Sequence, residues 1–162
     1  MSIVTLITDR GHPVRLASRG SERCLGVVLK QPRILLVDDT PEIIEFCTQL
    51  LQADYEIVGT APNGKAAISA FAAAAPDVVV LDISMPGLSG IEVARRLRGS
   101  GCQAVIVFLS GDEEFVTAAL EAGGSAYVSK TLVGSDLPIA IRDALAGRVF
   151  VSSLQQRHES MP

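Results

Sequence analysis

Val78-Val79-Val80-Leu81-Asp82-Ile83-Ser84-Met85-Pro86-Gly87 is the stretch on which the fold turns. Four consecutive apolar residues, three of them β-branched, read as a strand buried on both faces, as in a parallel sheet covered by helices. The run closes on a carboxylate and then on turn-forming residues. Asp82 therefore lies where a buried strand opens into a loop, which is where open α/β sheets place their chemistry.

Outward from this strand the same rhythm repeats. Strands are predicted over 33–38, 55–60, 77–82, 104–109 and 125–128, each followed by an amphipathic helix, over 41–52, 64–75, 89–99, 113–122 and 136–147. Such alternation gives one parallel sheet with right-handed crossovers and helices on both faces. Thr40 is placed to cap the first helix, with Pro41 at a position where its missing N–H costs nothing. Ser89 and Glu92 have the spacing of a capping box for the third helix, and Gly123-Gly124 stops the fourth.

Of 162 residues, 48% are apolar and 20% charged, which suits a single folded domain with a sizeable core. Cys24, Cys47 and Cys102 are scattered without ligand spacing and read as reduced thiols. No apolar stretch approaches the roughly 20 residues of a membrane span, and the run from Ile3 to Ile7 is too short for a signal-peptide core. The reading is a cytoplasmic protein with no membrane contact.

Charge is uneven. Residues 1–33 carry six basic and two acidic side chains, the remainder eight basic and sixteen acidic. The basic arm lacks clustered charge and interleaved aromatics, so direct DNA binding is not expected of it. Residues 1–32 read as a flexible extension, 33–150 as the domain, and 151–162 as a short tail with no output domain.

Asp38 and Asp39 close the apolar run Ile34-Leu35-Leu36-Val37, as Asp82 closes its own. Ser110 ends the fourth strand and Lys130 the fifth. Each alone has an ordinary explanation as a helix cap, a turn residue or a surface charge. Together, on one edge of one sheet, they form the parts of a site for a divalent metal and a phosphoryl group. Paired carboxylates repel unless a cation neutralises them, and Mg²⁺ is the oxygen-seeking choice. Asp82 then has an oxygen free to attack phosphorus, Lys130 supplies positive charge and Ser110 a hydroxyl. Gly111 leaves room for the group to enter.

At Leu36-Val37-Asp38-Asp39, Val80-Leu81-Asp82-Ile83-Ser84-Met85-Pro86-Gly87-Leu88-Ser89-Gly90, Phe108-Leu109-Ser110-Gly111 and Tyr127-Val128-Ser129-Lys130, the chain resembles the receiver domain of two-component response regulators. The resemblance covers about residues 33–150. It implies a flavodoxin-like, doubly wound, five-stranded parallel sheet and a phosphoacceptor at Asp82. The implied donor is a phosphohistidine on a sensor histidine kinase or phosphotransfer protein. Mg²⁺ would be held by Asp39, Asp82 and the carbonyl of Ser84, with Asp38 assisting through water. Ser110 and Tyr127 match the family's switch pair, which acts on a partner-binding face of helix four, strand five and helix five; a homodimer is allowed for. Thr131 stands where the family often has proline, and Ser84 and Asp112 flank the path of attacking water. Gly147-Arg148-Val149-Phe150-Val151-Ser152 resembles the linker that follows receivers joined to helix-turn-helix domains. The expectation is a stand-alone receiver, not an enzyme acting on external substrates.

Two other classes compete. A phosphohydrolase of the haloacid dehalogenase type shares the strand-end aspartate, Mg²⁺, hydroxyl and lysine. It needs a second acid two residues after the nucleophile, where this chain has Ser84. A receiver-like binding module that is never phosphorylated is disfavoured by the complete residue set. A dinucleotide-binding domain fails because no glycine-rich turn follows the first strand.

Overall fold

A computed structural model describes residues 5–7, 13–15 and 30–152. Six parallel strands form the sheet: β1 (Arg33–Val37), β2 (Glu56–Ala61), β3 (Val78–Asp82), β4 (Val105–Ser110), β5 (Ala126–Ser129) and β6 (Phe150–Val151). Their order is β2-β1-β3-β4-β5-β6, so the winding reverses between β1 and β3. The helices are α1 (Pro41–Leu51), α2 (Gly64–Ala74), α3 (Gly90–Gly99), α4 (Val116–Glu121) and α5 (Val133–Leu145).

Side chains alternate across each strand, and this divides the core in two. Leu35, Val37, Val79, Leu81, Ile106, Phe108 and Tyr127 face one way, against Ala67 of α2, Val93 and Leu97 of α3 and Ala119 of α4. Ile34, Leu36, Val78, Val80, Val107, Leu109 and Val128 face the other, against Cys47 and Leu51 of α1 and Leu137 and Ile141 of α5. Every residue of β3 is buried, as its unbroken apolar run requires. Arg98 ties one end of the sheet: its guanidinium donates to the carbonyls of Cys102 and Ala104 at 2.8 Å and to that of Gly123.

The sheet has six strands where five were expected. Gly147, at φ +80°, turns the chain after α5, and Phe150 and Val151 then pair with Ala126 and Tyr127. Two residues are too few to show a period, so the segment read only as a linker. Helix five begins at Val133 and not at 136. The earlier start adds Val133 to the buried stripe of Leu137, Ala140, Ile141 and Ala144, and takes Pro138 into the helix interior. Helix four opens with a 3₁₀ turn, Glu113–Phe115, before α4 proper. After Lys130 the chain makes a second 3₁₀ turn to Leu132, with Thr131 Oγ1 2.9 Å from Ser129 Oγ.

Caps follow the sequence unevenly. Ser89 and Glu92 form both bonds of the capping box on α3. Gly123 takes φ +94°, which favours glycine, just past the end of α4. Thr40 makes no side-chain cap on α1, although Pro41 opens the helix. Its carbonyl instead accepts the amides of Ile43 and Ile44, and its own N–H is taken by Asp38.

In the N-terminal unit, Thr5–Ile7 pairs antiparallel with Pro13–Arg15, Leu6 opposite Val14. The strand considered at Val27-Val28-Leu29 and most of the extension lie outside the described residues, as do residues 153–162. No helix among the described residues is long and apolar enough to cross a membrane.

Candidate functional site

The carboxyl ends of β1 and β3, side by side at the reversal of the sheet, bring Asp38, Asp39 and Asp82 together. Ligand oxygens from all three lie within 4.8 Å of one another. Asp82 is fully buried and Asp38 nearly so, whereas Asp39 is exposed at the rim. A cavity of about 330 Å³ lined by Asp38, Asp39, Glu45 and Thr60 opens beside them.

Lys130 reaches in from the end of β5. Its Nζ stands 3.0 Å from Asp38 Oδ2 and 3.2 Å from Asp82 Oδ1. Burial alone would discourage its charge, but the hydrogen bond and charge of Asp38, joined by those of Asp82, hold its pKa above the ordinary lysine value. Asp82 is pushed the other way for a carboxylate. Burial and then the charge of Asp38 raise its pKa, against the pull of Lys130 and the Ser84 amide. Asp82 Oδ1 accepts the Ser84 N–H at 3.1 Å, and Asp38 Oδ1 accepts the Thr40 N–H at 2.8 Å.

Asp82 Oδ2 has no hydrogen-bond partner. A buried carboxylate oxygen without a donor is costly, and it belongs to a cluster of three carboxylates. Three carboxylates against one ammonium leave an excess of two negative charges, which a divalent ion would balance. Hard oxygen donors of this kind fit Mg²⁺.

Gly90 explains how α3 comes this close. A Cβ there would stand 2.1 Å from the carbonyl oxygen of Asp82. Its N–H bonds the carbonyl of Ile83 at 3.0 Å, clasping the loop that carries Ser84. At Gly111 the reverse holds: an added Cβ meets no atom within 4 Å, so the pocket mouth is open on that side.

Ser110 and Tyr127 meet at a third group. The Ser110 hydroxyl donates to the Asp112 carbonyl at 3.2 Å and accepts the Asp112 N–H at 3.1 Å, while the Tyr127 hydroxyl donates to the same carbonyl. The Tyr127 ring is turned inward and fully buried, and burial raises its pKa, keeping the hydroxyl a donor. In this state Ser110 faces its own loop. All residues named from the sequence thus gather on one sheet edge. The Asp112 carbonyl was not among them, because a main-chain oxygen leaves no mark in a sequence; neither was Gly90, which was quoted without a role.

A doubly wound sheet with a carboxylate cluster at its reversal point, and a lysine reaching in from the end of β5, defines an α/β domain with an acidic pocket suited to a divalent cation. The family model of the response regulator receiver domain matches residues 34–142, and the chain belongs to that family. It is similar to the nitrate/nitrite response regulator protein NarL of Escherichia coli (strain K12), with 36% identity over 123 residues, 74% of this chain and 57% of that one. The nitrate/nitrite response regulator protein homolog of Haemophilus influenzae is 31% identical over 140 residues, 80% of this chain and 67% of that one. Among solved structures, a LuxR-family two-component response regulator from Aurantimonas sp. SI85-9A1 is 34% identical with a TM-score of 0.72, covering 80% of this chain and 95% of that one. The chain spans about half the length of most curated relatives it matches.

Proposed function

We propose that this receiver is phosphorylated on Asp82 and relays that event to a partner. The observation that carries the reading is the buried Asp82 carboxylate, with Oδ2 unpartnered and Lys130 3.2 Å from Oδ1. A carboxylate oxygen bonds to phosphorus as the phosphorus–nitrogen bond of a donor phosphohistidine breaks, and the imidazole leaves with the electron pair. The donor would be a sensor histidine kinase or a phosphotransfer protein. Lys130 neutralises charge on the incoming group. Asp38, Asp39 and Asp82, with the carbonyl of Ser84, would hold Mg²⁺, which would screen the negative charge that opposes attack.

A bound phosphoryl group brings roughly −1.5 to −2 charges and three acceptor oxygens. Ser110 is the hydroxyl nearest in the ladder to answer it, since Asp82 pairs with Leu109 immediately before it. Its departure from Asp112 alters the loop that also holds Tyr127, and so the face of α4, β5 and α5 offered to a partner. A cytoplasmic setting fits this chemistry. DNA contact is assigned to none of these residues, because acidic side chains outnumber basic ones sixteen to eight beyond residue 33.

Intact mass after incubation with acetyl phosphate and Mg²⁺ tests the reading. One phosphoryl adduct is expected, dependent on Mg²⁺ and absent in Asp82→Asn. An adduct persisting in that variant would refute the acceptor, and no adduct on the folded parent would leave only a binding module. Continuous phosphate release with turnover would point to a hydrolase.

A further inference from the structure

Tyr127 is held from two sides. Its hydroxyl donates to the Asp112 carbonyl on the loop after β4, and its own carbonyl accepts the N–H of Ser152 at 2.9 Å. Ser152 ends the segment that turns back at Gly147 and lays Phe150 and Val151 along β5. Strand β5 therefore joins the loop beside the acidic pocket to the chain that leaves α5.

Among the described residues, the segment is fastened at few points. Its strand has two residues, and Val149 and Val151 remain 68% and 39% exposed. Phe150 is half-buried against the core on the α5 side. Ser152 is the exception, at 4% exposed, with its hydroxyl donating to Asp136 Oδ2 of α5 at 2.7 Å. A buried hydroxyl with one charged partner, at the end of an exposed strand, is a specific fastening and not general packing. Segments with so few buried contacts open at low free energy.

We propose that Phe150–Ser152 is a latch on the edge of β5, closed while Asp112 holds Ser110 and Tyr127 and opened when that loop moves. The trigger rests on the phosphoacceptor reading. A phosphoryl group on Asp82 draws the Ser110 hydroxyl away, the loop loses two bonds to Ser110, and the change reaches Ser152 through Tyr127. Coupling between two such equilibria is reciprocal, so loosening the latch also shifts the loop.

The full chain labelled with 3-fluorotyrosine tests this. It has two tyrosines, so Tyr55 is the reference and Tyr127 the reporter. Ser152→Pro removes the N–H given to Tyr127, and Ser152→Ala removes only the hydroxyl. Both are expected to speed amide exchange over residues 149–151, the alanine by about tenfold, the scale of one lost hydrogen bond, and the proline, which loses the hydroxyl as well as the N–H, by more. They should also shift the Tyr127 fluorine resonance and speed exchange at the Asp112 amide. Val149→Ala should do none of these. Faster exchange in the latch with Tyr127 and Asp112 unchanged would overturn the coupling. In a second arm, chain shown by mass to carry one phosphoryl group should exchange at least about threefold faster over 149–151. An adduct without that change overturns the trigger and leaves the phosphoacceptor reading standing. No adduct refutes the phosphoacceptor reading and the trigger together, while the variants still decide whether latch and loop are coupled.

Discussion

Asp82 carries a conflict that the fold creates and a cation relieves. Its pKa is raised by burial and by Asp38, so the folded chain holds a proton there more tightly than the unfolded chain does. The cost of ionising it is absent below the ordinary aspartate value near 3.9, grows as pH rises through the raised folded value, and is complete above it. In EDTA at pH 7, Asp82→Asn should therefore melt higher than the parent, with the gap narrowing as pH falls toward about 4. Thermal melts across that range check it, and an Asn variant that melts lower at pH 7 would mean that Lys130 more than compensates. The identities of Asp38, Asp39, Asp82, Ser110, Tyr127 and Lys130 were legible because each ends a strand or lies near its end. What each touches was not. Ser110 was read as a ligand for a phosphoryl group, yet here it hydrogen-bonds Asp112, an arrangement fixed by loop geometry and a main-chain carbonyl.

Helix starts show how far local chemistry can be read and where tertiary contacts take over. Ser89 and Glu92 were legible as a capping box because both partners lie within one turn, and the box forms. Thr40 had the right residue type and a following proline, but its amide is claimed by the buried Asp38, and its side chain makes no cap. Ser89→Ala should therefore cost about 1 kcal/mol and Thr40→Ala well under half of that, measured by urea unfolding. Equal losses would contradict the assignment. The Glu92 pKa is lowered by its bonds to Ser89, so its contribution is present above the ordinary glutamate value and lost as pH falls through the lower folded one. Asn63, which accepts the Ala66 N–H at 2.9 Å and caps α2, went unread although its signal was equally local. The early start of α5 and the strand β6 are different: the first depends on burial against the sheet and the second on main-chain pairing with β5, and no window of sequence reports either.

The two cores on opposite faces of the sheet fix β1, β3 and β5 so firmly that their carboxyl ends form one edge, and the site is a product of that edge. The alternation of strand and helix made the architecture legible along 33–147, because long apolar runs have only one way to be buried twice over. Rigidity of this kind also converts ion binding into global stability. An ion that binds the assembled cluster and not the unfolded chain stabilises the fold by mass action, about 2.7 kcal/mol at a hundredfold excess over its Kd. Mg²⁺ without any phosphodonor should raise the melting temperature of the parent accordingly. Asp39 is exposed at the rim, so Asp39→Asn removes a ligand at little cost to the apo fold. It should abolish most of the Mg²⁺-dependent rise, whereas Glu45→Gln, on the wall of the neighbouring cavity, should leave it intact. If Asp39→Asn and the parent respond equally to Mg²⁺, the ion binds elsewhere and the three-carboxylate site is wrong. If only the parent and Glu45→Gln respond, the excess negative charge at the sheet edge is the binding determinant, and the same charge adds to the burial that makes Asp82 resist ionisation without the metal.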